Sequence, residues 1–141
     1  MKKIVMILIL IINSISYSYI NIYPIKFEKD ITEGAYEEFT LYNRSNKVRR
    51  YRIYVEDVEG RNSMKDWIEV YPKSISIKSL EEKNVKIFIE APENIKNGIY
   101  ESNFVVKEIL PPTTELTNEE KNKKTNILTM VKLRLKGKIE R

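Results

Sequence analysis

The chain has no histidine and no cysteine. A Ser-His-Asp or Cys-His catalytic arrangement therefore cannot be built from it. Metal sites made of imidazole or thiolate ligands are excluded for the same reason. Disulfides are excluded too, so stability has to come from apolar burial. Helical periodicity and internal repeats are absent as well. These absences point to a binding protein rather than an enzyme, and no cofactor is expected.

No apolar run is long enough for a comfortable membrane span. The one candidate, Ile4 to Ile12, follows Lys2 and Lys3 and precedes Ser16 and Ser18. That order is the tripartite pattern of a secretory signal peptide, with cleavage expected after Ser18. The reading is thus a signal segment over 1–18 and one domain over 19–141, exported to a periplasm or to the cell surface. Removing Lys2 and Lys3 leaves 23 basic residues against 20 acidic ones. The small excess is spread along the chain, so no nucleic-acid partner is expected. After cleavage no membrane contact is expected either.

What the rest of the chain does have is alternation. Apolar residues recur with period two, the mark of half-buried strands. Ile20, Ile22, Ile25 and Phe27 make a first strand, interrupted by Pro24, which cannot donate to a ladder. After a turn at Glu33-Gly34, Phe39 and Leu41 belong to a second strand that stops at Asn43-Arg44-Ser45-Asn46. Tyr51, Ile53 and Val55 mark a third, closed by Glu59 to Ser63. Trp67 to Pro72 leads through Ile75 and Ile77 as a short strand or pair. Val85, Ile87 and Ile89 give a fifth, and Ile99 to Leu110 a long sixth. Pro111-Pro112 opens a polar loop, and the last strand runs from about Asn126 to Glu140. Seven strands separated by turn signals predict an all-β, immunoglobulin-like seven-stranded sandwich.

Several segments carry a resemblance. Thr40-Leu41-Tyr42-Asn43, Trp67-Ile68-Glu69-Val70-Tyr71-Pro72, Lys107-Glu108-Ile109-Leu110-Pro111-Pro112 and Asn126-Ile127-Leu128-Thr129-Met130-Val131 fall in one order along the chain. Together they resemble the N-terminal immunoglobulin-like domain of PapD-like periplasmic pilus and fimbrial assembly chaperones. The last two, with a polar loop between them, are the most specific. The resemblance implies donor-strand complementation: the chaperone lends its last strand to an incomplete pilus subunit, inserting alternate side chains into the subunit's groove. In physical terms this is strand addition, with backbone hydrogen bonds for affinity and alternating side chains for register.

Matched residue by residue, the donor side chains are Leu128, Met130 and Lys132. Lys132 is charged where that family has an apolar residue, which suggests a shorter apolar plug. Val131, Leu133 and Leu135 form the opposite row and read as this domain's own core. Leu128 and Met130 fit either a donor row or the core. Family members also hold the subunit's terminal carboxylate with an arginine and a lysine. Lys26 stands in the arginine's place, without its bidentate geometry. The lysine's position falls on Gly137, and Lys138 beside it is the residue assigned. Edge-strand lysines are also an ordinary protection against aggregation.

The resemblance implies exported pilus, fimbrial or surface subunits as partners, with an outer-membrane usher as a further one. It also implies a second domain after the last strand, whereas this sequence ends at Arg141. The alternative function is a structural subunit or adhesin of the bacterial surface. Three other features have plainer readings. Asn43-Arg44-Ser45 fits a glycosylation sequon but reads as a turn. Asp57, Glu59 and Asp66 could hold calcium, yet they lack a recognised ligand spacing. Tyr42, Tyr51, Tyr54, Trp67, Tyr71 and Tyr100 admit a carbohydrate-binding surface or simple strand packing.

Overall fold

A computed structural model describes residues 20–110 and 128–141. The expected signal segment, the polar loop and residues Asn126-Ile127 at the start of the last strand lie outside the described residues. Nine strands run in chain order: β1 (Ile20–Tyr23), β2 (Phe27–Asp30), β3 (Ala35–Asn43), β4 (Arg49–Asp57), β5 (Ile68–Tyr71), β6 (Ser74–Ile77), β7 (Glu82–Ile89), β8 (Gly98–Ile109) and β9 (Met130–Ile139). They form two sheets, one of order β1-β3-β7-β5 and one of order β2-β9-β8-β4-β6.

The expected sandwich is what the chain forms, with two of the seven predicted strands each split across both sheets. β1 pairs with β3 in the first sheet, while β2 pairs with β9 in the second. Likewise β5 pairs with β7, and β6 with β4. Both crossings carry a proline, Pro24 and Pro72. A residue without an N–H cannot continue the ladder, so each strand ends there and its continuation joins the opposite sheet. Gly34 takes the turn before β3 at φ 89, a backbone conformation that costs glycine little.

The alternation seen in the sequence places one side of each strand inside. Phe39, Leu41, Val85 and Ile87 from the first sheet meet Tyr51, Ile53, Phe104, Val106, Leu135 and Ile139 from the second, all nearly or fully buried. Phe39 and Phe104 stack across the interface with ring centroids 4.5 Å apart. Each such side chain contributes roughly 1.5–3 kcal/mol through removal from water.

Candidate functional site: the open edge of the last strand

β9 pairs antiparallel with β8 along its whole length, from Met130↔Lys107 to Gly98↔Ile139. On its other side β2 runs parallel to it only from Phe27↔Leu135 to Asp30↔Lys138. Among the described residues no strand lies beside Met130 to Arg134 on that side. The hydrogen-bond pattern identifies which groups face outward. Glu108 N–H donates to Thr129 O at 2.8 Å, whereas Ile31 N–H donates to Lys138 O at 2.9 Å. Odd-numbered residues of β9 thus bond toward β8 and even-numbered ones away from it. Met130 and Lys132 present their N–H and C=O groups to the open edge.

The side chains alternate across the sheet. Val131 and Leu133 are half-buried and Leu135 and Ile139 are buried on the inner face. Gly137 shares that face because nothing larger fits: a Cβ there would stand 2.7 Å from Ile31 Cδ1 and 2.9 Å from Met64 Sδ. Leu128 and Met130 are exposed by 39% and 45%, so neither belongs to the core. The half of the sequence reading that put them there is corrected. The reason is strand parity, which turns Met130 away from the inner row of Val131, Leu133 and Leu135. Lys132, Arg134 and Lys138 share the outward face with Met130.

Lys132 Nζ sits 2.6 Å from Glu56 Oε1 on β4, reaching across β8. The hydrogen bond from Lys132 holds the Glu56 carboxyl below its usual range, and the same bond raises the Lys132 ammonium. Lys26 is exposed and lies 3.6 Å from Glu28, while Lys138 lies 3.2 Å from Glu140. The structure does not bring these two lysines together. With Phe27 opposite Leu135, Lys26 stands level with Arg134, four residues short of Lys138. The separation along the strands is roughly 13 Å.

One part of the site was not anticipated. Glu108, at the inward register of β8, is 4% exposed. Its Oε1 accepts from Arg49 NH1 at 2.7 Å, and its Oε2 accepts from the Thr129 backbone N–H at 3.0 Å. Arg49 Nε in turn donates to Ser45 Oγ at 3.0 Å. Ser45 Oγ donates to Asn43 Oδ1 at 2.6 Å, and Asn43 Nδ2 donates to Ile77 O at 2.8 Å. This network ties the start of β9 to the end of β3 and the beginning of β4. A charged residue in the inward register of an apolar strand was the available signal, since such a residue requires a partner.

The plainer sequence readings can be placed as well. The Asn43 amide is wholly buried and hydrogen-bonded, so it is a turn anchor and not a sugar acceptor. Asp57 accepts from Ser63 Oγ. Among the described residues no group of three acidic side chains is disposed around a cation. The aromatics do not form one surface: Tyr51 is in the core, and Trp67 packs on Tyr100 with centroids 4.8 Å apart.

No protein-family model and no curated protein sequence matches the chain. Solved structures do match. The YadV chaperone superposes with a TM-score of 0.63 at 12% identity, covering 88% of this chain and 53% of that one. A chain of the Salmonella enterica complex of SafA pilin with the SafB chaperone gives 0.64 at 10% identity, covering 90% and 57%. The PapD-like domain of human CEP192 gives 0.56 at 14% identity, covering 90% and 91%. This chain therefore spans about half the length of the chaperones it matches. It has the PapD-like immunoglobulin-like fold, one that is not confined to chaperones.

Proposed function

We propose that this chain is an exported, chaperone-like module that captures pilus, fimbrial or other surface subunits by lending them β9. The observation that carries the reading is the edge of β9. From Met130 to Arg134 the strand has a neighbour on one side only among the described residues, with Met130 exposed on its outward face and Leu128 exposed just before it. Unpaired backbone groups beside apolar side chains are what strand addition uses. They are also a hazard that a folded protein ordinarily covers. Similarity to a chaperone solved with its pilin supports the same reading.

In this scheme Leu128 and Met130 are the apolar plug. Lys132 would enter the client's groove only where a carboxylate replaces Glu56, or else remain on the chaperone's face. Lys26 and Lys138 would each meet an acidic group of the client, because their separation prevents them from sharing one. The chemistry requires neither cofactor nor catalytic group, and the setting would be the periplasm, reached through the N-terminal signal segment.

The test is recovery of the mature protein from its native periplasm with identification of what accompanies it, for wild type and for Leu128→Asp/Met130→Asp. A stoichiometric β-rich exported chain, lost in the double variant while the domain stays folded, is the expected result. Capture that persists in the variant rejects the donor assignment. Recovery in polymeric surface material would instead assign the chain as a structural subunit.

A further inference from the structure

Every exposed aromatic ring among the described residues lies on one face. Tyr23, Tyr36, Tyr71 and Phe88 all stand on the outer side of the first sheet. Strand parity places them there, because their chain neighbours Ile22, Ala35, Val70 and Ile87 pack into the core. Tyr36 and Phe88 pack together with ring centroids 5.2 Å apart, and Tyr71 is 72% exposed. Rings gathered on one surface mark an interaction site, where scattered single ones would not. The face is also acidic. Glu38, Glu69 and Glu82 share it with a single cation on its strands, Lys86. Glu69 and Glu82 are exposed and form no ion pair among the described residues.

The outer face of the second sheet has the opposite sign. Arg52 on β4 and Lys107 on β8 stand directly opposite each other, both exposed. Like charges in that position destabilise a sheet unless something compensates them. Lys132 and Arg134 are compensated, by Glu56 and Glu101. Arg52 and Lys107 have no carboxylate partner among the described residues.

We propose that the two faces bind each other between copies of this chain: the aromatic, acidic face of one molecule seats on the Arg52–Lys107 patch of the next. Charge decides the occupant. Two aromatic faces would set Glu38, Glu69 and Glu82 against their own kind, and two basic patches would do the same with Arg52 and Lys107. Only unlike faces attract. The spacing agrees as well. Glu69 and Tyr71 are two residues apart on β5, about 7 Å along one face. Opposed side chains such as Arg52 and Lys107 stand about 5 Å apart at Cβ. One cation can therefore meet the Glu69 carboxylate while the other lies over the Tyr71 ring. The contact joins two different surfaces, so a free face of each kind remains at the ends and copies add head to tail. It uses sheet faces and not the unpaired backbone of β9, so it stands or falls apart from the donor-strand reading.

Sedimentation of the whole protein at rising concentration is the test. Average mass is expected to pass that of a dimer without levelling off, and to fall toward the monomer at high salt. Glu69→Lys/Glu82→Lys and Arg52→Glu/Lys107→Glu change exposed positions, and circular dichroism should show both variants folded. Each alone is expected to associate at least tenfold more weakly, and an equimolar mixture of the two is expected to associate again. Tyr71→Ala keeps every charge in place and is expected to weaken association at least threefold. A wild-type protein that stays monomeric would overturn the inference and leave the two faces to separate partners. Association that survives both reversals would overturn it too, since the copies would then meet elsewhere. A mixture that fails to restore association would do the same.

Discussion

The Glu108 carboxylate accepts the backbone N–H of Thr129 at 3.0 Å, in the place where a ladder bond to a carbonyl would normally stand. The start of the last strand is thus held by a side chain. Arg49 balances the charge from 2.7 Å with its side chain 17% exposed, against 5% for Glu108. Both groups are shielded enough for the pair to matter, and removing the Glu108 carboxylate takes away both its ion pair with Arg49 and the acceptor of the Thr129 N–H.

Glu108→Ala is therefore expected to destabilise the domain by about 2–4 kcal/mol. Urea unfolding should show a lower midpoint with an unchanged slope. In the folded variant, amide exchange at Thr129 and Val131 should rise more than at Leu135, whose N–H faces β8 in the part of β9 that also has β2 as a neighbour. An unchanged midpoint would mean that the ladder alone places the strand.

The two faces of β9 predict opposite outcomes for the same substitution. Leu135 is fully buried, so Leu135→Asp puts a charge among Phe27, Phe104 and Ile139 with no partner and should prevent folding. Met130 is 45% exposed, so Met130→Asp should shift stability by no more than about 0.5 kcal/mol. Circular dichroism with thermal melting separates the cases. A folded Leu135→Asp protein would show that the register has been assigned to the wrong face.

The same parity explains what sequence alone could reveal. Alternation along β3, β4, β7, β8 and β9 was legible because half-buried strands write their inner face into every second residue. It also separated Met130 from Val131, although it could not say which row faced out near the end of the strand. Burial of Leu135 beneath Phe27 settles that. The division of the first strand between two sheets was not legible. Pro24 marks the break, but the destination of Phe27 depends on pairing with Leu135 at the far end of the chain. Of the Glu108–Arg49–Ser45–Asn43 network only the inward charge of Glu108 was legible, because its partner Arg49 lies on β4, far away in the chain, and meets it only through the β4–β8 pairing.

Gly137 reports how tightly the lower part of β9 is closed. Its missing side chain leaves room for Ile31 and Met64, both fully buried. Gly137→Ala would set a Cβ 2.7 Å from Ile31 Cδ1, so those side chains must shift within a filled core. Overpacking of this kind costs about 1–3 kcal/mol. A thermal midpoint equal to that of wild type would show that the Ile31 and Met64 side chains can move aside freely.

Tyr51 carries the clearest pH signature. Its ring is fully buried in the core, and its hydroxyl has no hydrogen-bond partner among the described residues. Burial raises its pKa to about 12, with the Glu108 carboxylate adding to the effect and Arg49 opposing it. The folded state therefore keeps a proton that the unfolded chain releases near the ordinary tyrosine value of about 10. Stability from this group is fully present below about pH 10 and is lost as the pH rises from there toward 12, by about 2 kcal/mol. Tyr51→Phe removes both the unpaired hydroxyl and the titration. At neutral pH the variant should be as stable as wild type or more so by up to about 1 kcal/mol, because an unsatisfied buried hydroxyl is itself unfavourable. Above pH 10 the gap in its favour should widen. Urea midpoints of the two proteins measured at pH 8, 10 and 11 would show it. Parallel curves across that range would mean that the hydroxyl reaches water in solution, and a large loss at pH 8 would mean that it holds a hydrogen bond after all.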